Sequence, residues 1–122
     1  MAKINEFTFG GWPVKDVEFV SPTKTKTKVY IAGKITGDPN YKEKFLSYQA
    51  LLEAAGHIVL SPATLPEGMR SADYMRICFA MIDCADLVVF LPDYAQSPGA
   101  RLEREYCKYT DKLIATVEVT AL

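Results

Sequence analysis

The sequence predicts an α/β fold: a three-layer α/β/α arrangement around a parallel sheet of four to five strands. Three observations lead there. From residue 28 onward, short apolar runs alternate with segments of helical periodicity in the order β-α-β-α-β-α-β. The connections are tight and no internal repeat occurs, so the helices are expected to cover a parallel sheet on both faces. The run at 87–91 (LVVFL) is apolar throughout and rich in branched residues, as expected of a strand buried on both sides.

Composition narrows the class. The chain has 122 residues, 49% hydrophobic and 24% charged, enough for one domain with a real core. A net charge of -1 offers no basic stripe for nucleic acid. No apolar run approaches the ~20 residues of a membrane span. The opening MAKINEFTFGGW lacks the charged-then-apolar pattern of a secretion signal. A cytoplasmic protein with no membrane and no nucleic-acid partner is expected. The three cysteines, Cys78, Cys84 and Cys107, are odd in number and form no CxxC, which reads as reduced, mostly buried thiols. His57 is the one histidine, so a histidine-cluster metal site is excluded. It follows Gly56 at a helix-to-strand turn and reads as structural. No metal and no organic cofactor are expected.

The elements follow in order. Residues 1–27 differ from the rest, with Gly10-Gly11, Pro13, Pro22 and a Lys/Thr alternation beginning at Lys24. Their aromatic and branched residues are too apolar for a disordered tail. They read as an arm or small hairpin packed on the domain or on a neighbouring subunit, with the α/β domain occupying 28–122. Residues 28–32 (KVYIA) form the first strand and run into Gly33-Lys34-Ile35-Thr36-Gly37. Glycines directly after a strand allow close backbone approach by a ligand. The spacing is not that of a Walker motif, and an ordinary turn is the competing reading. Residues 41–55 are an amphipathic helix with Phe45, Tyr48, Leu51, Leu52 and Ala55 at helical spacing, followed by Gly56. Residues 57–60 (HIVL) are the second strand, and 63–70 a loop.

Ser71 is the expected N-cap of the next helix, with Asp73 in its first turn. That helix runs to about Cys84 and is apolar on nearly all sides, so it is buried or lies in a subunit interface. A homo-oligomer is expected. The third strand follows Asp86, Pro92 ends it, and 93–96 form a loop. Ser97-Pro98 starts a helix, serine at the N-cap and proline at the first helical position. Residues 112–119 (KLIATVEV) are the last strand.

In a sheet of this kind ligands bind outside the C-terminal ends of the strands. Four segments converge there: 33–37, 61–64, 93–97 and the first turns of the Ser97 helix. Glu103 lies about 9 Å of helix rise beyond Ser97. Gly99 and Ala100 precede it by four and three residues and share its face. Either these small residues let the helix pack on the sheet while Glu103 is a solvated charge, or they clear room for a ligand against a working carboxylate. Glu105 points elsewhere. Ser97 and the free N–H groups of the helix start suit an anion. Tyr30 is placed to donate to a carboxylate and hold it. Asp86, at the start of its strand, is a structural candidate; Asp93, after the strand, is better placed for chemistry.

KVYIAGKITG, the D-x-V-V-F-L-P strand and S-P-G-A-x-x-E together resemble the nucleoside 2-deoxyribosyltransferase-like family, over 28–119, and its small bacterial and phage branch most closely. The resemblance implies a flavodoxin-like winding and cleavage or transfer at the N-glycosidic bond of a (deoxy)nucleoside 5′-monophosphate. Glu103 would be the nucleophile and Tyr30 its orienter. Ser97, with Gly33, Lys34, Ile35, Thr36, Gly37, Gly99 and Ala100, would bind the sugar-phosphate of a small-molecule nucleotide or nucleoside. A serine six residues before the glutamate, where transferases of free nucleosides carry aspartate, favours a nucleotide. The sequence departs from the family at Cys78, where the acid thought to protonate the leaving base would stand; Asp73, Asp83 or Asp93 would have to replace it. That departure supports a second reading, a non-catalytic nucleotide-binding or sensing domain; the apolar Ser71 helix and the N-terminal arm support a third, an assembly module with no ligand.

Overall fold

The computed structural model describes residues 3–9, 12–15 and 26–120; within 3–9, 12–15, 119 and 120 the backbone alone is described. The elements are β1 (Lys3–Phe9), β2 (Trp12–Lys15), β3 (Lys28–Ala32), α1 (Tyr41–Ala54), β4 (Ile58–Leu60), α2 (Ser71–Cys84), β5 (Leu87–Phe90), α3 (Pro98–Tyr109) and β6 (Ile114–Thr120). Short 3-10 turns at Pro62–Thr64 and Tyr94–Gln96 follow β4 and β5.

The strands form one sheet in the order β2-β1-β6-β5-β3-β4. The four strands of the α/β unit, β4-β3-β5-β6, are mutually parallel. Counted within that unit their order is 2-1-3-4, the flavodoxin-like winding, with the switch point between β3 and β5. β1 pairs antiparallel with both β2 and β6 and so extends the sheet beyond its parallel part. Gly10, Gly11, Pro22 and Lys24 of the expected arm lie outside the described residues.

Strand alternation divides the core in two. Val29, Ile31, Leu87, Val89, Leu91, Ala115 and Val117 face one way and pack with Phe45 and Leu52 of α1. Tyr30, Ala32, Val88, Phe90 and Ile114 face the other way and pack with Cys78 and Ile82 of α2 and Cys107 of α3. Both faces of β3 and β5 are therefore covered, which is why neither strand shows polar alternation.

Local details differ from the sequence reading in several places. Arg70, not Ser71, is the N-cap of α2. Asp73 turns back to accept the Arg70 N–H at 3.3 Å, so the acid three residues on fixes the helix start. Leu51 is 56% exposed; of the proposed stripe, Phe45 and Leu52 are buried and Tyr48 packs half-buried against them. β4 begins at Ile58, leaving buried His57 in the turn. β6 begins at Ile114, because Lys112 serves the helix ends instead. Its N–H donates to Cys107 O at 2.9 Å, and its ammonium donates to Ala85 O at 2.6 Å.

Candidate active site

Glu103 is on the inner face of α3 and only 5% exposed, so it is not a solvated surface charge. α3 starts where the sequence directs: Ser97 Oγ accepts the Ala100 N–H at 3.1 Å, and Pro98 occupies the first turn. One turn later the helix carries Glu103 onto the side chain of Tyr30, which β3 points at the α2/α3 layer. Tyr30 is fully buried, and its hydroxyl donates to Glu103 Oε2.

The electrostatics follow from that burial. Removal from water pushes the Glu103 carboxyl up to about 7, against the opposing pull of the Tyr30 hydrogen bond, which favours the ionised form. Burial, reinforced by the Glu103 charge, raises the Tyr30 phenol well above its ordinary value, so Tyr30 remains a donor. Cys78 of α2 lies in the same cluster as Tyr30. Burial lifts its thiol to about 11, so it is neutral at physiological pH. Cys107, one turn beyond Glu103, is pushed up to about 12, again first by burial. The carboxylate therefore sits among protonated neighbours, poised to titrate near neutrality.

The small residues before Glu103 have different roles. Ala100 is buried, consistent with α3 packing closely on the sheet. A Cβ at Gly99 would meet Met75 Cε at 3.4 Å and Ser97 Oγ at 3.9 Å, which are ordinary contacts. Gly33 is more constrained. A Cβ there would come within 2.8 Å of Leu91 Cδ1 and 3.1 Å of Leu91 Cβ. Its smallness serves the packing of β3's end on β5's end, a reason the sequence reading did not contain. Gly37 has φ +83°, a left-handed conformation that glycine adopts without strain.

Loop 33–37 is tied down rather than open. Asp93 Oδ1 accepts the Lys34 N–H at 3.1 Å. Lys44 of α1 donates to Lys34 O at 2.7 Å, to Asp38 Oδ2 at 2.6 Å and to Asp93 Oδ2. Burial lowers the Lys44 ammonium, but Asp38 and Asp93 outweigh it and hold it above its ordinary value. Asp93 thus bonds to the loop and to Lys44, while Tyr30 is the group that bonds to Glu103. Ile35 packs half-buried against the α1-side core, and Thr36 is exposed at the loop's tip. Asp86 lies at the other end of the sheet, where Oδ2 accepts the Lys28 N–H at 2.8 Å.

Lys44 is the participant that sequence reasoning missed. One signal was available: it stands three residues after Tyr41 and four before Tyr48, on the inward side of an otherwise apolar stripe. Among the described residues no group of three His, Cys, Asp or Glu side chains could hold a metal ion, and no helix is long and apolar enough to cross a membrane.

Fold and site together define a flavodoxin-like α/β domain with a titratable carboxylate sealed between the sheet and the helix that follows its third parallel strand. The chain belongs to the family described as domain of unknown function DUF4406, which matches residues 27–116. That span holds Tyr30, loop 33–37, Lys44, Cys78, Asp93, Ser97 and Glu103. No curated protein matches the chain.

Proposed function

We propose that this protein cleaves, or transfers at, the N-glycosidic bond of a (deoxy)nucleoside 5′-monophosphate, with Glu103 as the nucleophile. The observation that carries the reading is the buried Glu103–Tyr30 pair. A carboxylate withdrawn from water and bonded to a phenol rather than a cation is costly to the fold, and such groups concentrate at functional sites. The resemblance of the Tyr30, Ser97 and Glu103 motifs to nucleoside 2-deoxyribosyltransferase-like proteins supports the same assignment.

In the first step a Glu103 oxygen bonds to the anomeric carbon as the C–N bond breaks. The electron pair leaves with the base, which takes up a proton. In the second step water adds to the same carbon, the ester bond to Glu103 breaks, and the water's proton is released; a second base in place of water gives transfer. Tyr30 holds the carboxylate in its ionised form and fixes its direction. The Ser97 hydroxyl accepts from Ala100 through a lone pair and retains its hydrogen for a phosphate oxygen, beside the Gly99 N–H of the first helical turn. Cys78 is a poor acid with its thiol at about 11, so the reaction suits bases that leave readily or take their proton from water. On this reading the ligand is a small-molecule nucleotide, and the protein works in the cytoplasm as a homo-oligomer.

Cys78 also favours the second reading, a nucleotide-binding domain without turnover. Chromatography for free base separates the two. Wild type and Glu103→Ala would be incubated with the common nucleosides and 5′-monophosphates of both sugar series. Release by the wild type alone is the expected result. Binding of a monophosphate without release by a folded wild type would replace catalysis with sensing.

A further inference from the structure

Lys44 makes three contacts that no functional reading has used. Its ammonium has three hydrogens, and three acceptors surround it: Lys34 O at 2.7 Å, Asp38 Oδ2 at 2.6 Å and Asp93 Oδ2. Those acceptors belong to two different loops. Lys34 and Asp38 lie in the connection from β3 to α1, and Asp93 lies after β5. The Lys34 N–H donating to Asp93 Oδ1 at 3.1 Å joins the same two loops a second time. All three side chains are largely withdrawn from solvent, with Lys44 and Asp38 at 21% and Asp93 at 24% exposure. Ion pairs in that setting hold geometry better than surface pairs do.

The position of the junction matters more than its strength. β3 and β5 flank the switch point of the parallel sheet, the place where sheets of this winding bind their ligands. β3 carries Tyr30 and, three residues later, enters loop 33–37 at Gly33, about 10 Å along the strand. Gly33 is pressed against Leu91 and has no room to shift toward β5. The next fixed point is Lys34, gripped at both its N–H and its carbonyl. With its ammonium hydrogens committed, Lys44 is not a phosphate ligand.

We propose that Lys44 is a positioning residue, a three-point staple that locks loop 33–37 to the Asp93 loop and preforms the wall of the crevice. Its kinetic consequence rests on the nucleotide reading above; its structural consequence does not. The staple acts on ligand capture and not on the chemistry at Glu103, which Tyr30 governs.

The test uses the full chain and the variants Lys44→Met and Asp38→Asn. The first removes all three bonds; the second removes one charge and leaves the ammonium on Asp93, which guards against loss of fold in the first. Amide hydrogen exchange across 33–38 is followed in the unliganded protein, and KM and kcat for the monophosphate that releases base are measured beside it. In Lys44→Met the expected results are exchange faster by roughly 10-fold or more at these amides and KM raised by about 10-fold with kcat within about twofold. Asp38→Asn should fall between Lys44→Met and wild type on both. Unchanged exchange in both variants overturns the staple. Faster exchange with unchanged KM, or a loss confined to kcat, overturns the positioning role. If the wild type releases no base, the nucleotide reading has failed, and exchange alone decides whether Lys44 fixes the loop.

Discussion

Replacing Tyr30 by phenylalanine removes one oxygen from the buried pair and nothing else. That oxygen is the donor to Glu103 Oε2, and the ring around it is fully buried. A hydrogen bond to a charged group is worth about 1.5–3 kcal/mol, and one pKa unit corresponds to about 1.4 kcal/mol. The Glu103 carboxyl, already near 7 through burial, should therefore rise by about one to two units in Tyr30→Phe. At neutral pH the ionised fraction would drop from about half to somewhere between a tenth and a hundredth. The direct assay is a carbon-13 NMR titration of side-chain carboxyls, with the Glu103 signal assigned by its loss in Glu103→Gln. On the proposed reading, the rising limb of the pH–rate profile should move alkaline by the same amount. An unmoved or lowered midpoint in a folded Tyr30→Phe protein would refute the claim that Tyr30 stabilises the carboxylate.

Other substitutions test the remaining links. The Glu103 carboxyl titrates near 7 in the folded protein against 4.5 for an exposed group, so the native state holds its proton more tightly than the unfolded chain does. Wild-type stability should then fall as pH rises from about 4.5 to about 7, by up to about 3 kcal/mol, and stay low above that. Glu103→Gln lacks this dependence, so its stability relative to wild type should grow between pH 5 and pH 8 in urea unfolding; a pH-independent difference would count against a buried, titrating Glu103. Gly33→Ala drives a methyl into Leu91 and should cost about 1–3 kcal/mol, whereas Gly99→Ala meets only ordinary contacts and should be neutral or stabilising by roughly 0.5–1 kcal/mol. Equal midpoints for the two variants would show that Gly33 is not a packing requirement. Ser97→Ala should cost about 1 kcal/mol through the lost helix cap and, on the proposed reading, should raise KM for a monophosphate more than for its nucleoside.

The fold was legible because its signals are local. KVYIA and LVVFL lack polar alternation, and the structure buries both strands on two faces. Ser97-Pro98 marked the start of α3 to the residue. At α2 two polar residues compete for the cap, and Arg70 takes it because Asp73 reaches back to its N–H. Site residues were nameable from sequence, but their states were not. Helical spacing put Gly99, Ala100 and Glu103 on one face without showing that the face turns inward onto Tyr30, a partner 73 residues away. Gly33 carried the signature of a ligand-approach glycine, while its packing constraint comes from Leu91. Lys44 looked like one more charge on an amphipathic helix. Its role depends on Asp93, 49 residues on, and only the folded chain brings the two together.

β6 lies between β5 and β1, so strands from opposite ends of the described chain run side by side. This has a kinetic meaning. The parallel pairs β3–β4 and β3–β5 form between segments close in sequence, bridged by α1 and α2, and β1 and β2 are neighbours too, but the β1–β2 pair has no edge of the parallel sheet to join until β6 has been laid against β5. The β1–β2 pair is thus seated late on the sheet, and the edge of β1 that β6 covers stays open until then. Long-range closure of this kind raises contact order and slows folding, and it lengthens the period in which an exposed edge can recruit another chain.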